Sequence, residues 1–292
     1  MVFAIPENLG WLGKSDEGRA WLSSLPTLVA QAAGRWGLRV GAGYGGSQVS
    51  YVAPAYRADG SAAVLKVQWP HPECVHEADA LTVWDGDGAV RLLAHDPGSH
   101  TLLIERCVPG THLSTVDSRT ALDVLIGLLP RLWKPAGAPF TSLAAEAARW
   151  ADGLVGQWDR AGRPGPRPIV DRAVEVLRGL ASSQAGYEQV VGHQDLHGDN
   201  VLRAEREPWL VIDPKPLVGE RAFGVAPIVR SAELGHSKAD VWYRLDRLTA
   251  ELGLDRDRAW GWAYGQTVAW AFDDGFASLR HIEVAGWLSA RR

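Results

Sequence analysis

The most constraining feature of this chain is the polar run His193–Asn200, which is framed by apolar residues and followed, after a short gap, by the apolar segment 209–212 and Asp213. Asp195 precedes Asn200 by the spacing found at phosphoryl-transfer sites. In such sites one carboxylate accepts the proton of an attacking hydroxyl, while an amide and a second carboxylate hold the Mg²⁺ that bridges the nucleotide phosphates. The pattern therefore predicts Asp195 as the catalytic base or substrate-orienting residue, Asn200 and Asp213 as Mg²⁺ ligands, and ATP or GTP as phosphoryl donor.

The same run resembles the signature of the aminoglycoside phosphotransferases, small-molecule kinases whose loop commonly reads H-G-D-L-H-x-x-N. Gln194 replaces the usual Gly, and the other signature residues are present. The continuation Ile-Asp-Pro-Lys-Pro at 212–216, with Gly219-Glu220 and Ala222-Phe223 beyond it, is most similar to the streptomycin kinase and hydroxyurea phosphotransferase branch. The resemblance implies an α+β, two-lobed protein-kinase-like fold, with an antiparallel five-stranded N-lobe carrying one packed helix and a mainly helical C-lobe.

The composition and net charge of the chain argue against some kinds of binding partner. The 292 residues carry a formal net charge of −4 without a basic stripe, which argues against nucleic acid. No run of 18 apolar residues occurs, and Pro6, Glu7 and Asn8 interrupt the apolar amino terminus. We therefore expect a cytoplasmic protein without a membrane partner, and the sequence leaves its oligomeric state open. The two cysteines are too few for a disulfide framework, so reduced thiols are expected.

Periodicity divides the chain into two lobes. A helix is predicted over 16–36 and another over about 73–84, among short β-rich runs at 38–40, 49–56, 62–68, 90–94 and 101–104. Beyond them, strand-like runs occur only at 189–192 and 209–213, whereas helical periodicity covers roughly 117–134, 142–160, 168–182, 225–236, 238–252 and 256–290. We predict a nucleotide-binding lobe at 1–106 and a catalytic and substrate-binding lobe at 107–292, with the nucleotide between them.

Lys66 lies in an apolar strand of a chain that has only five lysines. A buried ammonium requires an anionic partner, because its desolvation is costly. Glu77 on the following helix is the candidate, and the pair would orient the α- and β-phosphates of the nucleotide. Asp79 lies about 200° around the helix from Glu77 and is expected to face elsewhere. The alternative is a strand-edge lysine whose amine reaches solvent.

Two backbone segments of the first lobe complete the predicted nucleotide site. The run 41–46 fits G-x-G-x-x-G, and Gly43 and Gly46 would let backbone amides approach phosphates. A strand rather than a helix is predicted to follow, which argues against a dinucleotide fold, and a flexible hairpin is the alternative. By the family resemblance, the backbone carbonyl of Glu105 and the amide of Cys107 would meet the adenine edge, although an ordinary edge strand is equally compatible with this segment.

Two other functional classes compete with the kinase interpretation. On an extended strand His193, Asp195, His197 and Asp199 would share one face, as in a metal-dependent hydrolase. That alternative leaves the predicted lysine pair and the spacing to Asn200 unexplained. We instead interpret the two histidines as structural and Asp199 as a solvated loop residue. A catalytically dead nucleotide-binding protein would have lost the lysine or the carboxylates, and all of these are present.

The sequence departs from the family pattern at Gly224, where related kinases usually carry an Asp that braces the catalytic loop. We expect either a looser loop or a brace supplied by another residue. For the acceptor, a cationic, streptomycin-like aminoglycoside would call for carboxylates on the second lobe, and Asp273 and Asp274 are the first candidates. Exposed helix acids without a binding role are the alternative, and Glu233, Asp240 and Glu283 are further options. Antibiotic inactivation is the expected role, with phosphorylation of another small metabolite or biosynthetic intermediate as the runner-up.

Overall fold

The computed structural model describes residues 4–273 and 275–290, which divide into two compact units. The N-terminal unit comprises the described residues up to Gly110 together with Arg203–Leu210, and the C-terminal unit comprises Thr111–Leu202 and the described residues from Val211 onward. Among the described residues, the structure contains no helix that could span a membrane.

The N-terminal unit begins with a 3₁₀ segment, Glu7–Lys14, and a long helix, α1 (Asp16–Trp36). The Oγ of Ser15 accepts a hydrogen bond from the amide of Gly18 at 3.0 Å, which satisfies one free donor of the first turn. The helix ends at Gly37, whose φ of 62° lies in the left-handed region that favours glycine. The predicted helix over 16–36 is therefore confirmed at both ends.

A five-stranded antiparallel sheet forms the centre of this unit. Its members are β1 (Arg39–Val40), β2 (Ser50–Tyr56), β3 (Ala62–Gln68), β4 (Leu92–Asp96) and β5 (Thr101–Glu105), in the order β1-β2-β3-β5-β4. The one long helix between the strands, α2 (Glu77–Trp84), contacts β4. The predicted sheet with one packed helix is confirmed.

Alternation along β3 separates an apolar face from a polar one. Leu65 and Val67 are fully buried in the cluster that also contains Trp21 and Leu25 of α1. Lys66 and Gln68 are the intervening residues, so their side chains leave the strand on the opposite face. This period of two directs Lys66 away from the apolar cluster.

The C-terminal unit is mainly helical. Its helices are α3 (Ser118–Leu132), α4 (Leu143–Arg160), α5 (Arg167–Ser182), α6 (Ala226–Arg230), α7 (Lys238–Leu252), α8 (Arg256–Ala269) and α9 (Leu279–Ser289). Helix α8 contacts α5, α6 and α9, and its residues 259–269 are all buried. A helix that is buried all round lies within the core of its unit.

Short strands flank the polar run on both sides. β6 (Val190–His193) pairs antiparallel with β9 (Pro216–Gly219), and β7 (Val201–Arg203) pairs with β8 (Trp209–Val211). The run that was singled out from the sequence therefore connects β6 to β7. β9 was not predicted, because its four residues carry no alternating pattern of their own.

Two helix predictions were wrong. The helix predicted over 225–236 ends at Arg230 and gives way to a 3₁₀ turn, Ala232–Leu234. The helix predicted over 256–290 is interrupted by the hairpin β10 (Phe272–Asp273) and β11 (Phe276–Ala277). Gly275 has a φ of +74° in the turn of this hairpin, a conformation that ends helical geometry and favours glycine.

Candidate active site

The catalytic-loop candidate is anchored by a buried histidine. The Nδ1 of His193 accepts a hydrogen bond from the amide of Asp195 at 3.2 Å, and its Nε2 donates to the carbonyl of Ile212 at 3.0 Å. The neutral imidazole alone can accept at one nitrogen and donate at the other. Burial lowers the pKa of His193 to about 4, so the ring is neutral at physiological pH. His193 thereby ties the loop to the strand that precedes Asp213.

Asp195 lies beside two cationic side chains and the imidazole of His197. The Lys215 Nζ is 3.2 Å from Oδ2, the Arg230 Nη2 is 3.6 Å from Oδ1, and the His197 Nε2 is 3.9 Å from Oδ1. Burial by itself would raise the pKa of Asp195, but the charges of Lys215, Arg230 and His197 outweigh it and lower the pKa. The carboxylate is therefore ionised at neutral pH and can accept a hydrogen bond from a hydroxyl.

Asn200 and Asp213 are brought together by the β7–β8 pairing. The amide of Ile212 donates to the carbonyl of Asn200 at 2.9 Å, which places the next residue, Asp213, beside the start of β7. The Asn200 Nδ2 donates to the carbonyl of Asp195 at 2.8 Å and so fixes the orientation of the side-chain amide. Its Oδ1 is then directed away from that carbonyl. An amide oxygen and a carboxylate from adjoining strands form the hard oxygen donor set that Mg²⁺ prefers.

Asp213 itself has a φ of 55°, which is rare for a residue other than glycine and recurs at functional sites. The left-handed turn leads the chain from β8 directly into Pro214 and Lys215. The amide of Gln194 donates to the Lys215 carbonyl at 3.3 Å, so the chain returns to the loop that contains Asp195. This turn brings Lys215, two residues after Asp213, next to the loop that contains Asp195.

The alternating metal site of a hydrolase does not form. β6 ends at His193, and residues Gly198–Asn200 form a 3₁₀ turn, so the four alternating side chains do not share the face of one strand. Within residues 4–273 and 275–290, no group of three or more His, Cys, Asp or Glu residues is arranged to hold a metal ion. Asp199 instead accepts a hydrogen bond from Ser114.

A different residue takes the place of the absent aspartate at 224. A Cβ added to Gly224 would lie 3.1 Å from the Trp133 Nε1 and 3.3 Å from the Leu129 Cδ2, so the packing there leaves little room for a carboxylate. Glu233 instead accepts a hydrogen bond from the amide of Gly198 at 2.7 Å. The sequence suggested Glu233 only as a residue for substrate binding, whereas the structure places it against the catalytic-loop backbone.

Glu233 is also coupled electrostatically to His197. Burial would raise the pKa of Glu233, but His197, whose Nδ1 lies 3.7 Å from the Glu233 Oε1, and the hydrogen bond from the Gly198 amide lower it to about 2. Conversely, burial would lower the pKa of His197, but the nearby carboxylates of Glu233 and Asp195 raise it. Both residues hold the backbone of the loop between Asp195 and Asn200, because the Gly198 amide donates to Glu233 and the Asp199 amide donates to the His197 Nδ1 at 3.3 Å.

The second cation at Asp195 is held by a buried polar network. Arg230 donates to the Oε1 of Gln266, whose Nε2 donates to the carbonyl of Gln194 at 2.9 Å. The Arg230 guanidinium lies 4.5 Å from the ring centroid of Trp270, and the Lys215 Nζ lies 5.2 Å from the same centroid. Both distances are in the range of cation–π interaction. Sequence reasoning missed Lys215 and Arg230, although one follows Asp213 closely and the other ends an apolar segment.

In the N-terminal unit, Lys66 and Glu77 form a buried ion pair. The Lys66 Nζ is 2.6 Å from the Glu77 Oε2, and the two side chains are 5% and 2% exposed. The Gln68 Nε2 also donates to this oxygen at 2.6 Å. Asp79 turns away and pairs with the His76 Nδ1 at 2.9 Å. The structure thus brings together the predicted phosphate-orienting pair, and burial excludes a lysine that reaches solvent.

The glycine-rich segment connects β1 to β2. Its backbone is held by hydrogen bonds from the Gly41 amide to the Pro54 carbonyl at 2.8 Å and from the Tyr44 amide to the Val52 carbonyl at 2.7 Å. A Cβ at Gly43 would lie 2.7 Å from the Tyr51 ring, so only glycine fits without displacing that ring. Gly46 has a φ of +144°. The nucleotide-binding role of Gly43 and Gly46 stays a prediction.

The predicted adenine-binding segment follows β5. The Glu105 carboxylate contacts Arg206, with distances of 2.8 Å to Nε and 2.9 Å to Nη2, and accepts from the Arg91 amide at 3.0 Å. The Cys107 thiol is buried, and burial together with the Glu105 charge raises its pKa to about 12. Both side chains are thus committed to packing and charge pairing. The adenine contact was predicted for the backbone carbonyl of Glu105 and the backbone amide of Cys107, and it stays a prediction.

The acidic substrate candidates differ in their surroundings. Asp273 is exposed in β10, and Asp274 lies outside the described residues. Glu283 pairs with the His236 Nε2 at 2.8 Å. The Asp240 Oδ2 accepts from the Ser237 Oγ at 2.6 Å at the start of α7. Among these acids Asp240 therefore has a clear structural role.

Comparison with known proteins supports a small-molecule kinase. The family model described as "Aminoglycoside/hydroxyurea antibiotic resistance kinase" matches residues 35–275. Streptomycin 6-kinase of Streptomyces griseus is 39% identical over 287 residues, covering 92% of this chain and 90% of that protein. Hydroxyurea phosphotransferase of Kitasatospora aureofaciens is 39% identical over 277 residues, covering 92% and 79%.

Solved structures agree on the fold. Choline kinase LicA from Streptococcus pneumoniae matches with a TM-score of 0.60 at 11% identity, covering 91% of this chain and 99% of that one. The predicted kinase-like α+β fold, the nucleotide-dependent phosphotransferase activity and the family resemblance are therefore confirmed. The matched length and the identity to these relatives show that the chain belongs to the family of aminoglycoside/hydroxyurea antibiotic resistance kinases.

Proposed function

We propose that this protein transfers the γ-phosphoryl group of ATP to a hydroxyl of a streptomycin-like aminoglycoside in the cytoplasm and so inactivates the antibiotic. The observation that carries the reaction is the ionised Asp195. Its backbone carbonyl accepts a hydrogen bond from the Asn200 side chain, and the Asn200 carbonyl accepts one from Ile212, the residue before Asp213. The choice of acceptor is supported by two streptomycin 6-kinases that are 39% and 40% identical to this chain.

Asp195 would accept a hydrogen bond from the acceptor hydroxyl and take its proton as transfer proceeds. The hydroxyl oxygen forms a bond to the γ-phosphorus, the bond from that phosphorus to the β–γ bridging oxygen breaks, and ADP leaves. Because the transition state of phosphoryl transfer is loose, the proton moves late and orientation of the hydroxyl matters more than strong basicity. An aspartate whose pKa is lowered by neighbouring cations suits this orienting role.

The Asn200 Oδ1 and the Asp213 carboxylate would hold Mg²⁺, which when bound neutralises phosphate charge. Lys66, oriented by Glu77, would contact the α- and β-phosphates in the same way as the lysine of other kinase-like enzymes. The backbones at Gly43 and Gly46 would approach phosphate oxygens, and those at Glu105 and Cys107 would meet the adenine edge. In this proposal residues 1–106 form the nucleotide-binding lobe and 107–292 the catalytic and substrate-binding lobe.

We place the cationic part of the acceptor against Asp273 and Asp274. A second candidate acceptor, a small neutral hydroxylated molecule such as hydroxyurea, is supported by the hydroxyurea phosphotransferase that is 39% identical over 92% of this chain. The two candidates differ in charge. Carboxylates near the acceptor should favour the first over the second, because Coulomb attraction acts on the cation alone.

The test is transfer of labelled phosphate from ATP, and separately from GTP, to streptomycin, to hydroxyurea and to a neutral polyol, with Mg²⁺ or with excess chelator. Streptomycin should be phosphorylated fastest, and only with Mg²⁺ present. Asp195→Asn should lower turnover at least about a hundredfold with nucleotide affinity nearly unchanged. Asp199→Asn is the matched control, because Asp199 is an exposed carboxylate of the same loop. Transfer to hydroxyurea alone would refute the aminoglycoside assignment, and normal turnover in Asp195→Asn would refute the role of Asp195.

A further inference from the structure

Asp195 is flanked by two cations that differ in their access to ligand. The Lys215 Nζ lies 3.2 Å from Oδ2 and its side chain is 26% exposed, whereas the Arg230 Nη2 lies 3.6 Å from Oδ1 and its side chain is 6% exposed. Arg230 is further fixed by its hydrogen bond to Gln266. Lys215 is therefore the cation that a bound molecule can reach.

A turn, a backbone hydrogen bond and an aromatic ring set the position of Lys215. The left-handed turn at Asp213 directs the chain after β8 toward the loop, and the hydrogen bond from the Gln194 amide to the Lys215 carbonyl aligns the backbone. The Trp270 ring, at the end of α8, supports the ammonium at 5.2 Å from its centroid. A cation that is supported by an aromatic face and by one carboxylate, yet partly exposed, is organised before any ligand binds.

We propose that Lys215 is a catalytic residue of this kinase, whose ammonium contacts the phosphoryl group during transfer and neutralises charge on its equatorial oxygens. The inference rests on the proposed function. A hydroxyl bound to Asp195 would lie about 2.7 Å from its carboxylate, and the phosphorus about 3 Å beyond the hydroxyl oxygen. The Lys215 ammonium lies 3.2 Å from the Oδ2 of that carboxylate, and rotation of the flexible lysine side chain lets it reach a phosphoryl oxygen.

Lys215 neither gains nor loses a proton in this step. The acceptor oxygen bonds to the γ-phosphorus, the bond to the bridging oxygen of ADP breaks, and the hydroxyl proton passes to Asp195. Negative charge on the transferring group is then met by an ammonium that needs no rearrangement of solvent. Arg230, which is buried, approaches the other carboxylate oxygen of Asp195, Oδ1.

The first experiment compares Lys215→Met, which keeps an apolar stem against Trp270, with Lys215→Arg, which keeps the charge. The matched control is Lys238→Met, because Lys238 is an exposed lysine of the same unit. With streptomycin as acceptor, Lys215→Met should lower kcat at least about a hundredfold and change KM less than about threefold, since the lost contact exists mainly in the transition state. Lys215→Arg should retain more activity than Lys215→Met, and Lys238→Met should match the parent.

A binding measurement separates contact with phosphate from a purely positioning role. The parent should bind Mg-ADP more tightly when aluminium fluoride, which mimics the transferring phosphoryl group, is present. Lys215→Met should lose most of this gain while its affinity for Mg-ADP alone stays within about twofold. Part of this loss should persist in an Asp195→Asn background, because Trp270 and the backbone hydrogen bond at Lys215 still position the ammonium when the carboxylate charge is gone.

The results that would overturn the role of Lys215 differ from those that would overturn the proposed function. If the gain persists in Lys215→Met, or if its loss disappears in the Asp195→Asn background, Lys215 acts only through Asp195 and the inference is overturned. If the parent transfers no phosphate to any acceptor and gains nothing from aluminium fluoride, the proposed function itself fails. Thermal unfolding of each variant checks the fold, and Lys215→Arg, which preserves the charge, keeps the test valid if Lys215→Met is unfolded.

Discussion

Acidification should destabilise this protein, and the buried His193 should make a measurable contribution to that loss. Its neutral ring accepts from the Asp195 amide and donates to the Ile212 carbonyl, and it is only 3% exposed. Burial lowers its pKa from 6.5 to about 4. As pH falls through 6.5 the unfolded chain takes up a proton that the folded chain does not, so stability decreases from pH 6.5 down to about pH 4.

The magnitude follows from the size of the shift. Linkage predicts a loss of about 3 kcal/mol once both states are protonated, and about 2 kcal/mol at pH 5. His193→Gln removes the titrating group while keeping a side-chain amide that can donate. The free energy of unfolding should therefore decrease between pH 7 and pH 5 by about 2 kcal/mol less in the variant than in the parent.

Urea denaturation followed by tryptophan fluorescence, at intervals between pH 4 and pH 8, measures both curves. The comparison uses the change with pH within each protein, so a constant loss of stability from the substitution does not affect it. Parallel curves for parent and variant would refute the reasoning. So would a proton NMR titration in which the His193 ring of the folded protein titrates near its ordinary pKa.

Three further outcomes test other parts of the molecule. Lys66→Met should destabilise the fold by roughly 3 kcal/mol in urea denaturation because it leaves the Glu77 carboxylate buried, and adding Glu77→Gln should restore part of that loss; simple additivity would contradict a coupled pair. Glu233→Ala should accelerate amide hydrogen exchange in the catalytic loop and lower turnover, whereas unchanged exchange would show that the loop needs no such brace. Replacing Asp273 and Asp274 by Asn should raise the KM for streptomycin and flatten its salt dependence, and an unchanged KM would identify them as ordinary surface.

The sequence by itself determined the features that are local or periodic. Asp195 and Asn200 lie in the loop just before β7, and Asp213 follows β8, so the short hairpin β7–β8 returns the chain to the same place. Likewise, the period of two in β3 places Lys66 opposite the apolar cluster, and the turn and capping residues mark both ends of α1. These signals survive in the linear chain because each depends on residues close to one another in it.

Only the tertiary structure decided which distant residues complete the site. Lys215, Arg230 and Trp270 come from three segments, and their convergence on Asp195 depends on how β9, α6 and α8 pack. The same packing fills the space at Gly224 with Trp133 and brings Glu233 to the loop instead. No periodicity encodes such contacts, because they arise from the fit of side chains between elements that are far apart in the chain.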